Sequence, residues 1–168
     1  MLQLINLKNT LLVGAVTLLA SCSGQKEVKM GSYAYDAQFL KENGIEYTEL
    51  VSADGNSKVM IVPAWQGRVM TTSASGDEGD SYGWINYRFI REGKVSPQFN
   101  PVGGEERFWL GPEGGPFSLY FKEGQEQVYD NWVVPAVLDT EAFDIKSQSD
   151  NSIRFVKDTR LENASGTI

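Results

Sequence analysis

Apolar and polar residues alternate along this chain in short runs, and glycine, proline, asparagine and aspartate separate the runs. A period of two marks half-buried strands, and the separators are the residues that turns require. Residues 46–51 and 58–62 flank Ala53-Asp54-Gly55-Asn56 and predict a hairpin. Pro63 ends the second of these strands, Trp65-Gln66-Gly67 predicts a tight corner, and 68–72 predicts a third strand. Residues 74–80 read as a small acidic loop. Alternation resumes over 82–89 around Trp84 and Tyr87, with an imperfect phase that also suits a short helix. Residues 143–147 and 152–158 flank Gln148-Ser149-Asp150-Asn151 as a second hairpin, and 158–163 reads as one more strand running outwards. A helical signature stands before all of these: Asp36 as cap, Phe39 and Leu40 as an apolar side, and Asn43-Gly44 as the stop. The patterning predicts an all-β, antiparallel chain with one short N-terminal helix.

The densest stretch is 102–121, V-G-G-E-E-R-F-W-L-G-P-E-G-G-P-F-S-L-Y-F. Glycine pairs mark forced turns or places where other atoms approach the backbone closely. Between and after them, 107–110 and 117–121 predict two strands joined by the turn Gly111-Pro112-Glu113-Gly114-Gly115. The polar loop 91–101 leads into this stretch, and an apolar segment, 128–138 with Trp132 inside it, follows.

The N-terminus changes the picture. Residues 11–20 form an apolar run preceded by Lys8, short for a bilayer span and of the length of a signal-peptide core. It ends in Leu19-Ala20-Ser21-Cys22, which resembles the lipobox of bacterial lipoproteins, and Cys22 is the only cysteine, without a disulfide partner. The resemblance implies a signal peptide over 1–21, lipidation at Cys22, a flexible tether over 22–31, and anchoring to a membrane of the bacterial cell envelope, on a periplasmic or outer-membrane face. Cleavage would remove Lys8 and take the net charge from −7 to −8. With acidic residues spread along the chain and no basic patch, nucleic acid is not an expected partner.

The chain has no histidine, which excludes Ser-His-Asp, Cys-His and HExxH chemistry. No metal-binding loop such as an EF-hand is present in the sequence, and nothing calls for a cofactor.

Pro63-Ala64-Trp65-Gln66-Gly67-Arg68 and Gly103-Gly104 followed by Trp109 and Pro112-Glu113 together resemble uncharacterised bacterial lipoproteins whose fold is similar to galactose mutarotase (aldose 1-epimerase). The resemblance covers roughly 47–168. It implies a large antiparallel β-supersandwich of which 32–168 would be the N-terminal part, and a carbohydrate ligand. Mutarotases use a histidine acid and a late glutamate base. This sequence offers no match for either, so no catalytic residue carries over, and sugar epimerisation would need groups beyond Ile168.

A sugar presents C–H faces and a rim of hydroxyls, so its pocket needs flat rings together with carboxylates and guanidinium groups. Arg68, Trp84, Glu105, Arg107, Trp109 and Glu113 are the substrate-binding candidates, with Trp65 a further ring of the right type. Each tryptophan also suits a core, and each arginine a salt bridge. Two readings follow: an anchored protein that binds or processes carbohydrate, and a non-catalytic scaffold that holds a glycan or a partner protein.

Overall fold

The computed structural model describes residues 28–167; the expected signal peptide, Cys22 and most of the tether lie outside them. The chain begins with helix α1 (Tyr33–Glu42). Its cap is Ser32, whose hydroxyl accepts from the Tyr35 N–H at 3.2 Å, so the helix starts earlier than Asp36 predicts. Asp36 instead sits buried in the first turn and accepts hydrogen bonds from the Ser81 and Tyr87 hydroxyls. Two donors from later in the chain outcompete the local capping role. The stop is where the sequence puts it: Asn43 is the C-cap and Gly44 turns away at φ 71°.

Strands β1 (Thr48–Val51), β2 (Lys58–Val62) and β3 (Arg68–Ser73) form an antiparallel sheet in that order. Asp54 closes the β1–β2 turn by accepting from the Ser52 hydroxyl and the Asn56 N–H. Pro63 stops β2 and opens a 3-10 turn (Pro63–Trp65). Gln66 at φ 62° and Gly67 at φ 65° then reverse the chain into β3. The predicted corner is therefore the observed one.

Strand β4 (Trp84–Ile85) is two residues long, and helix α2 (Tyr87–Glu92) takes up the rest of the out-of-phase segment. β4 pairs with β5 (Gly103–Gly104), and Val69 exchanges backbone hydrogen bonds with Glu105 and Glu106, so β5 leads the chain along β3. Helix α3 (Ala136–Asp139) precedes the hairpin of β6 (Asp144–Ser149) and β7 (Ser152–Val156), whose turn is narrower than predicted. Phe155 from β7 packs against the Gly67 corner. The outward strand is confined to β8 (Glu162–Asn163), which Ala164-Ser165 folds back onto β9 (Gly166–Thr167). Every strand pair among the described residues is antiparallel, and the fold is all-β with short helices.

The central stretch departs from its prediction. Residues 107–110 and 117–121 are irregular, neither strand nor helix. Gly111, Pro112, Gly114, Gly115 and Pro116 crowd between them, and prolines and glycines weaken a ladder. Side chains satisfy the backbone instead: the Ser118 hydroxyl donates to the Glu113 carbonyl at 2.8 Å and the Tyr120 hydroxyl to the Leu110 carbonyl at 2.5 Å.

Two apolar clusters result. The first holds Tyr33, Phe39, Leu40, Met60, Val62, Met70, Ile85, Ile90 and Val102, between α1, α2 and the sheet. The second holds Leu119, Tyr120, Phe121, Val134, Val137 and Leu138.

Close approach explains the first glycine pair. A Cβ on Gly103 would lie 2.2 Å from the Trp84 carbonyl oxygen, at a φ of 95° that side chains rarely adopt. Gly103→Ala should lower unfolding free energy by about 3 kcal/mol, read from urea midpoints. Gly93→Ala, also at positive φ but in open space, should cost about 1 kcal/mol. Equal effects at the two positions would contradict this packing.

Candidate functional site

A seam of buried polar groups joins the two clusters. Arg68, 2% exposed at the start of β3, donates from Nη1 to the Gly103 carbonyl at 2.8 Å and from Nη2 to Gln66 Oε1 at 3.1 Å. Its stem passes against Gly104, where a Cβ would meet Arg68 Cδ at 2.8 Å. Gln66 in turn donates to the Glu141 carbonyl, beyond α3. Arg107 donates to the Leu138 carbonyl. Asp139, buried at the end of α3, accepts from the Asn100 backbone and side-chain amides at 2.9 and 2.7 Å.

Three atoms in this seam have no hydrogen-bond partner among the described residues: Arg68 Nε, Arg107 Nε and Asp139 Oδ1. Burial, reinforced by the Arg107 charge and opposed by Asp139, pushes the Arg68 guanidinium down to about 10. Burial also lowers Arg107, against the pull of Asp139 and Tyr120. Arginine keeps its proton in proteins, so the seam holds one buried cation, Arg68, and one half-buried cation, Arg107, with Asp139 as a nearby opposing charge.

From Arg107 an aromatic column runs outwards. The guanidinium lies 4.1 Å from the centre of the Trp109 ring. Trp109 and Tyr120 have centroids 5.3 Å apart, and Tyr120 and Trp132 stack at 5.5 Å with planes 4° apart. Trp132 and Tyr129 continue the stack at 6.3 Å and 12°. Phe99 braces the column edge-on against Trp109 and Trp132. Tyr120 is 1% exposed and Tyr129 73%, so the column leads from core to solvent.

The outer end of the column borders a hollow of about 310 Å³ lined by Glu113, Phe121, Gln127, Val128, Tyr129 and Trp132. The Glu113 turn is fixed there from two sides. Gln127 exchanges two hydrogen bonds with the Gly115 backbone, at 2.6 and 2.8 Å. The Trp109 indole N–H donates to Glu113 Oε1 at 2.8 Å, which orients the carboxylate. Rings with a carboxylate and an amide at the rim suit a ligand that has both an apolar face and hydroxyls.

Of the residues proposed from sequence, Arg107, Trp109 and Glu113 form one continuous chain of contacts, while Arg68 is held separately by Gly103 and Gln66. Arg68 and Arg107 spend donors on backbone carbonyls and support the site from behind. Glu105 is elsewhere, accepting from the Thr72 hydroxyl at 3.0 Å. Trp84 is 62% exposed on β4, and of the six candidates Glu113 alone is in the lining of the hollow. Trp65 packs against the first cluster. Tyr120, Gln127, Tyr129 and Trp132 complete the site and were not singled out as candidates. The sequence signal for Tyr129 and Trp132 is a pair of flat rings in a segment that lacks strand alternation; Tyr120 lies in a run that reads as a strand, and Gln127 has no signal.

A wider hollow, about 640 Å³, lies between the end of α1 and β1 beside Glu46, Tyr47 and Glu49. Its one ring, Tyr47, is covered by Lys41 at 5.3 Å. Among the described residues, no cluster of acidic, cysteine or histidine side chains could hold a metal ion, and no helix is long and apolar enough to cross a membrane.

The column has a pH signature. Burial, and then the Glu113 charge, push the Tyr120 hydroxyl up to about 12 against the opposing Arg107. Tyr33 and Tyr87 are raised further, again by burial first, with Glu49 and Asp36 adding to it. Unfolded tyrosine titrates near pH 10, so above that pH the folded chain holds more protons than the unfolded chain and stability falls as pH rises. Urea midpoints should decline from pH 10, with the Tyr120 share complete a little above 12. Tyr120→Phe should remove that share while costing about 1 kcal/mol at neutral pH. An unchanged slope in the variant would contradict the assignment.

Comparison with curated proteins and with solved structures finds no match. Comparison with protein families does: residues 31–168 match the family of unknown function DUF6786, and the chain belongs to that family.

Proposed function

We propose that this chain binds carbohydrate at the Glu113–Tyr129–Trp132 hollow, as a protein held on the bacterial cell envelope by a lipid at Cys22. The observation that carries the binding reading is the ring column, anchored in the core at Tyr120 and presenting a well-exposed Tyr129 beside an oriented carboxylate. A sugar laid on Tyr129 covers apolar surface on both partners, and Glu113 accepts from its hydroxyls. The hollow is at the lower end of ligand-pocket sizes, which suits a short sugar segment. The likeness of 63–68 and 103–115 to mutarotase-like proteins supports the same ligand class.

Binding requires no acid–base pair, in keeping with a chain that has no histidine. The seam behind the column has a supporting role in this reading: Arg107 holds Trp109, and Trp109 holds Glu113.

Titration calorimetry of the full chain against gluco-, galacto- and manno-oligosaccharides should find a saturable ligand. Tyr129→Ala should weaken its binding about tenfold. Absence of binding across the panel, or binding indifferent to Tyr129, would overturn the reading. Separately, Cys22→Ser should abolish incorporation of labelled palmitate and release the chain from the membrane fraction. Retained label would contradict the anchor.

A further inference from the structure

The charge around the hollow narrows the ligand. Resting on the carbohydrate reading above, we propose that the site selects a sugar bearing a protonated amine over its neutral or acidic counterparts.

The hollow's lining contains one charged group, the Glu113 carboxylate, and no lysine or arginine. The closest cation on the column, Arg107, is stacked on Trp109 and donates to the Leu138 carbonyl, so it is turned away from the ligand. The one amide in the lining, Gln127, donates one of its two N–H groups to the Gly115 carbonyl and accepts from the Gly115 N–H. These two bonds fix the amide's orientation, and its second N–H is a neutral donor that brings no positive charge to the hollow.

Ring faces add to the same preference. Tyrosine and tryptophan present the negative face of their quadrupole, and a cation within about 6 Å of a ring centroid is attracted to it. Tyr129 and Trp132 both line the hollow, and Tyr129 is widely exposed. The segment that forms this wall carries exposed Glu123, Glu126 and Asp130 against the single cation Lys122. An ammonium on the sugar would meet Glu113 and a ring face together. A uronate at the same position would meet a carboxylate and the negative side of a ring.

The site is open to water, so discrimination is a matter of a few-fold rather than of orders of magnitude. An exposed ion pair with a cation–π contact gives about a fivefold preference, which added salt should diminish.

The test compares β-1,4-linked tetrasaccharides of glucosamine, glucose and glucuronate by calorimetry with the full chain, at a pH below the amine's own pKa. The glucosamine ligand should bind about fivefold more tightly than the glucose ligand, and the glucuronate ligand most weakly. Glu113→Gln keeps an acceptor for the Trp109 indole and should bring the glucosamine-to-glucose ratio close to one. Equal binding of glucosamine and glucose, tighter binding of glucuronate, or a ratio untouched by Glu113→Gln would overturn the selectivity and leave carbohydrate binding standing. No binding by any of the three, joined to the oligosaccharide panel's silence, would remove both.

Discussion

Arg68 runs beneath Gly104 and donates to the Gly103 carbonyl from an almost fully buried position. This contact requires a residue without a side chain at 104 and a left-handed backbone at 103, and the sequence supplies a glycine at each. It fixes where β5 lies against β3, and so where the irregular stretch after it departs. Arg107, a short step beyond Gly104 by way of Glu105 and Glu106, is thereby brought into the field of Asp139. An unmet buried polar atom costs about 1–3 kcal/mol, and the seam has three. The seam therefore sets geometry at a cost to stability.

The column of rings translates that geometry into a surface. Trp109 is held by Arg107 on one side and by Tyr120 on the other, and its indole N–H aims the Glu113 carboxylate. Trp132 and Tyr129 carry the stack to solvent. A surface built this way is rigid without being a strand, because ring stacking and side-chain bonds to the backbone replace a ladder. Preorganised rings lose little freedom when a ligand settles on them.

Local features were legible in the sequence and long-range ones were not. The β1–β2 hairpin, the stop at Pro63, the Gln66-Gly67 corner and the Asn43-Gly44 helix end all follow from turn chemistry within a few residues. The role of Asp36 was not legible, because its hydroxyl partners come from Ser81 and Tyr87. Alternation over 117–121 suggested a strand, yet Ser118 and Tyr120 use their hydroxyls on the preceding turn. Of the site, Arg107, Trp109 and Glu113 could be picked out because they sit together in one glycine-rich run. Tyr129 and Trp132 could not, since only the tertiary stack shows that they share a surface with Glu113.

The central claim is that sugar settles on the outer end of this one column. Its most direct test is the shift of tryptophan indole N–H signals in a nitrogen–proton NMR spectrum as an oligosaccharide is added. The account predicts that the signals of Trp132, beside the hollow, and Trp109, bonded to Glu113, move together, while those of Trp65 and Trp84 stay in place. Movement confined to Trp84 or Trp65 would contradict it.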